Sequence, residues 1–111
     1  MSSVQVHPIL VSGQWRPADC ESTFQASDPS TSFPIEDQFP RSRWSDCEAV
    51  LDAATTASRR LIDTPAGSIA RFLEAYADGL QFNADAICEA AQRETGLALQ
   101  PRLLDIEMPR T

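Results

Sequence analysis

The sequence predicts an α+β chain in which two short β-hairpins precede about three α-helices. Three observations lead there. Up to Arg43 short β-rich stretches alternate with turn signals, and five of the chain's eight prolines fall in that part, at positions 8, 17, 29, 34 and 40. From Trp44 to Gly96 the apolar residues instead recur at helical spacing. At 111 residues there is room for one small domain at most.

Residues 1–8 are expected to be flexible, with His7 extended because Pro8 follows it. A lone histidine in such a terminus is expected to be solvated. Residues 9–43 read as short strands and turns. Ile9-Leu10-Val11 favours a strand, Ser12-Gly13 makes a tight turn, and Gln14 to Arg16 returns. Arg16-Pro17-Ala18-Asp19 breaks the pairing, and Cys20 falls in a polar loop. The second hairpin runs from Thr23-Phe24-Gln25-Ala26 through the dense turn signal Asp28-Pro29-Ser30-Thr31-Ser32. It returns through Phe33-Pro34-Ile35 to Phe39-Pro40, as an edge or bulged strand, because Pro34 has no amide to donate.

Residues 44–96 read as helices. Ser45 followed by Glu48 predicts a capping box, with Asp46 in the first turn opposing the dipole and Trp44 stapled onto Ala49. The apolar stripe is Cys47, Val50, Leu51, Ala54, Ser58 and Leu61, and the helix should end near Arg60–Ile62. Thr64 is the expected N-cap of the next helix, with Pro65 at its first position. Ile69, Phe72, Leu73, Tyr76, Ala77 and Leu80 then line one face, and Ala84, Ile87, Cys88 and Ala91 repeat the pattern. Asn83 between them predicts a second N-cap, so the stretch is either two helices or one sharply bent helix. Gly96 suits the left-handed position that closes a helix. Residues 97–111, with Pro101 and Pro109 bracketing 102–108, are expected to begin a truncated continuation.

Composition narrows the function classes. A formal net charge of −7, with nine scattered arginines and no lysine, argues against nucleic acid and against an anionic membrane surface. No basic segment leads an apolar run, and no stretch has the length of a membrane span, so a cytoplasmic location is expected. Cys20, Cys47 and Cys88 are odd in number and far apart, which fits neither a disulfide framework nor a zinc site. Cys47 and Cys88 fall on apolar stripes and are expected to be buried. Trp15 and Trp44 are expected to anchor the hairpin and the helix start.

Four segments, in order and spacing, resemble the amino-terminal quarter of the aldehyde dehydrogenase superfamily. They are I-L-V-S-G-Q-W-R at 9–16, F-Q-A-S-D-P-S-T at 24–31, W-S-D-C-E-A-V-L-D-A-A at 44–54, and A-R-F-L-E-A-Y-A-D-G-L at 70–80 with R-E-T-G-L at 93–97. The closing P-R-L-L-D-I-E-M-P-R-T is similar to the NADP-dependent branch that includes 2-oxoglutarate semialdehyde dehydrogenases. Two departures stand out. Ser32 replaces a usual glycine, which predicts a strained residue or a different turn, and Ala66-Gly67 replaces an acidic pair at a helix start.

The resemblance implies that residues 1–111 are the amino-terminal portion of an α/β cofactor-binding domain. The complete enzyme would oxidise an aldehyde, such as 2-oxoglutarate semialdehyde, to a carboxylic acid with reduction of NAD(P). It further implies that the nucleophilic cysteine, the glutamate that activates water and the cofactor-binding residues all lie outside this segment. The chain alone is therefore expected to be inactive and to bind no cofactor, and it has no G-x-G-x-x-G loop. The implied partners are the remainder of the domain and, once complete, further copies of the enzyme. A monovalent cation is implied between the carbonyl of Ala26 or Ser27 and the carboxylate of Glu94, since hard oxygens suit such an ion. Two other readings stand beside this one: a truncated, non-catalytic helical module for interaction or oligomerisation, and an independent small α+β domain. Stripes matched to an absent sheet predict exposed apolar surface and open strand edges in the chain alone.

Overall fold

The computed structural model describes residues 5–111. It is a small α+β fold with two separate two-stranded antiparallel sheets and helices after them. The chain divides into two units: the segment ending at Gln25 together with Glu36–Thr64, and Ala26–Ile35 together with Pro65–Thr111.

The first unit opens with β1 (Ile9–Val11) and β2 (Gln14–Arg16), paired as expected around Ser12 and Gly13. Both turn residues have positive φ, 52° and 78°, the conformation that matches a two-residue turn to the strand twist. β3 (Cys20–Phe24) pairs with β4 (Phe39–Ser42), and the register shifts between Cys20 and Ser22. The second hairpin therefore forms with longer reach than the sequence suggested. Its return strand starts at Phe39, and Cys20 lies in a strand rather than a polar loop. His7 is also placed rather than loose. Its amide donates to the Gln38 carbonyl at 2.8 Å, its Nε2 lies 2.9 Å from Asp37 Oδ1, and its ring stacks on Phe39 at 4.8 Å. The expected flexibility of residues 1–4 lies outside the described residues.

Helix α1 (Trp44–Ile62) has the expected span but a different start. The N-cap is Arg43, and no side chain caps the helix. Ser45 Oγ donates to Asp19 Oδ2 at 2.8 Å, and Glu48 Oε1 accepts from Trp44 Nε1 at 3.2 Å. The capping box fails because each of its members has a better-placed partner. Ala49 and Ala53 are half-buried, while Cys47, Val50, Leu51 and Leu61 on the expected stripe are exposed. Cys47 is thus not a core residue: α1 lays its small alanines beside β1 and leaves the larger apolar side chains open.

The second unit holds α2 (Ala66–Phe82) and α3 (Ala84–Thr95), two helices joined at Asn83. Thr64 does not cap α2, since its hydroxyl donates to the Arg60 carbonyl at 2.8 Å and Pro65 occupies the N-cap position. Asn83 likewise looks backward: its amide group donates to the Gly79 carbonyl at 2.8 Å, closing α2 rather than opening α3. Gly96 does close α3 in the left-handed conformation, φ 71°, with its amide donating to the Gln92 carbonyl at 2.8 Å. A last helical stretch, Leu99–Glu107, is interrupted by the extended Gln100 and runs on through Met108–Arg110. It packs against α3, and the unit's buried apolar side chains are there: Cys88 is 3% and Leu103 5% exposed. No residue of α2 is buried.

Candidate functional site

The strongest polar constellation is in the first unit. Asp46, in the first turn of α1, is 3% exposed and gathers three neighbours. Its Oδ2 accepts the Asp19 amide at 2.8 Å, its Oδ1 lies 3.0 Å from Arg16 Nη2, and the Ser42 side chain bonds it as well. Around it, Asp19 Oδ1 pairs with Arg43 Nη1 at 3.1 Å, and the Arg43 amide donates to the Asp19 carbonyl at 2.7 Å. Burial pushes the Asp46 carboxyl upward, but the Ser42, Asp19 and Arg16 donors outweigh it and hold the group below its ordinary value. An ionised carboxylate already engaged by an amide, a guanidinium and a hydroxyl ties β2, β4 and the residue that precedes β3 to α1. It is not an acid or base in waiting. The sequence marked Asp46 as a first-turn acid, and its role as a hub depends on Arg16, Asp19 and Ser42, which no local pattern links to it.

Ala26, Ser27 and Glu94, where a cation was expected, belong to the second unit. Its loop, residues 26–35, is a closed structure of its own. The Asp28 amide donates to the Phe33 carbonyl at 2.9 Å and the Ile35 amide to the Ala26 carbonyl at 2.7 Å, framing a Ser27–Pro34 bridge. Asp28 Oδ1 accepts the Ser30 hydroxyl at 2.6 Å and the Ser30 amide at 2.8 Å. These two bonds from Ser30, with the Thr31 amide behind them, lower the Asp28 carboxyl against a weaker upward push from desolvation. Ser32 takes φ 62°, so the position where a glycine was expected does need positive φ, and serine carries the strain.

This loop meets the end of α3. A Cβ built on Gly96 would lie 3.8 Å from Pro29 Cβ and 3.8 Å from the Ser30 nitrogen. The bridge also separates the two carbonyls that the sequence left open. That of Ala26 accepts a bond inside the bridge, whereas the pairing makes no use of the Ser27 carbonyl. Ser27 and Glu94 are both exposed, Glu94 in the last turn of α3. What meets the end of α3 is Pro29 and Ser30, beside Gly96, rather than Ser27. Among the described residues no cluster of three or more His, Cys, Asp or Glu side chains is placed to hold a metal.

Cys47 is exposed and Cys88 buried, and the single histidine is engaged by Asp37. No loop of the described chain has the glycine-rich sequence that cradles a dinucleotide phosphate. An open groove of about 660 Å³ runs between α2 and α3, lined by Ala75, Tyr76, Gly79, Leu80, Ala86 and Ile87 among others. Among the described residues no helix is long and apolar enough to cross a membrane. No protein-family profile, no curated protein and no solved structure matches the chain.

Proposed function

We propose that this chain is the amino-terminal segment of an NAD(P)-dependent aldehyde dehydrogenase that oxidises an aldehyde, such as 2-oxoglutarate semialdehyde, to the acid. In this reading the nucleophile, the water-activating carboxylate and the cofactor site belong to the remainder of the domain. The segment contributes packing surface and, through the Ser27 carbonyl and Glu94, a monovalent cation site that braces the loop against α3.

One observation carries the need for a larger domain: too much of the chain is uncovered. Among the described residues only Asp46, Cys88 and Leu103 are buried. Ile69, Phe72, Leu73 and Tyr76 stand together on the open face of α2. The order and spacing of the four sequence segments give that larger domain its class.

The test is the mass of the product in its native host, read through a tag at the amino terminus. A species several times larger than 12.2 kDa that reduces NADP⁺ or NAD⁺ when given aldehydes is the expected result. A species of 12.2 kDa, or a larger one inert towards every aldehyde tried, overturns the enzyme reading.

A further inference from the structure

We draw no further inference here: the strongest candidate, the open groove between α2 and α3 floored by Ala75, Gly79, Ala86 and Ala90, is an unpartnered apolar face, and nothing in the structure shows what covers it.

Discussion

Helices α2 and α3 sit next to each other in the chain and carry the same kind of apolar stripe, yet they are used differently. On α3, Cys88 is buried, Ala84 and Ala91 are half-buried, and the helical stretch holding Leu103 packs alongside. On α2, Phe72 is 65% exposed, and Ile69, Leu73 and Tyr76 are open too. The wetter helix is the more apolar one, with three aromatic residues against none. Periodicity therefore identifies the face that wants cover, while the supply of cover depends on what else the chain contains. For α3 the cover is the nearby stretch that holds Leu103; the apolar face of α2 is left open.

That contrast is open to direct attack. The largest effect should come from Phe72→Ala measured twice. In the proposed complete protein it should cost about 3 kcal/mol, as for a buried phenylalanine. In the 111-residue chain it should change urea unfolding by no more than about 0.5 kcal/mol. Equal effects in the two settings would mean that α2 is not awaiting a partner. On the α3 side, Leu103→Ala should cost about 2 kcal/mol in the short chain, seen in the loss of helical circular dichroism. A neutral result would show that the small core beneath α3 contributes nothing.

Asp46→Asn gives a comparison in the other unit. It weakens the Arg16 pair and puts an amide donor in place of one acceptor oxygen. The melting of the first unit, followed through Trp15 and Trp44 fluorescence, should fall by on the order of 10 °C. The same group sets an acid limit. Its folded pKa lies below the unfolded value, so its stabilisation is complete above about pH 5. That stabilisation fades as pH drops through the ordinary carboxylate value, about 3.9, towards the lower folded one. Acid unfolding of the variant should lack that component, and an unchanged acid profile would remove Asp46 from its assigned role. The smallest effect belongs to Gly96→Ala. Space exists for the methyl, so the cost is the left-handed backbone alone, about 1 kcal/mol. A much larger loss would mean that Pro29 and Ser30 press harder on the turn than their 3.8 Å separations indicate.

Helix spans were legible because long periodic runs between breakers leave few alternatives: Trp44–Ile62 and the stop at Gly96 follow from Leu, Ala and Gly placement. Caps were not. Ser45, Thr64 and Asn83 all have the right chemistry for an N-cap, and all three bond elsewhere. Thr64 and Asn83 turn to carbonyls of the preceding helix, a choice that depends on how tightly consecutive helices are joined. His7 is exposed, as expected of a solvated histidine, but its partners Asp37 and Phe39 lie thirty residues on, beyond the reach of any local pattern. The turn at Asp28-Pro29-Ser30-Thr31-Ser32 was legible from its residues, but the approach of its loop to Gly96 was not, because nothing in either stretch names the other.

The loop of residues 26–35 lies between two strands of the first unit yet belongs to the second. During synthesis it leaves the ribosome with β3, while α3 follows about sixty residues later, roughly 3–12 s at common elongation rates. The first unit can close around Asp46 in that interval, and the loop must wait for the helix end that receives it. Neither unit is a single uninterrupted piece, so a cut at Thr64 would release the first unit with the loop attached and leave α3 without it.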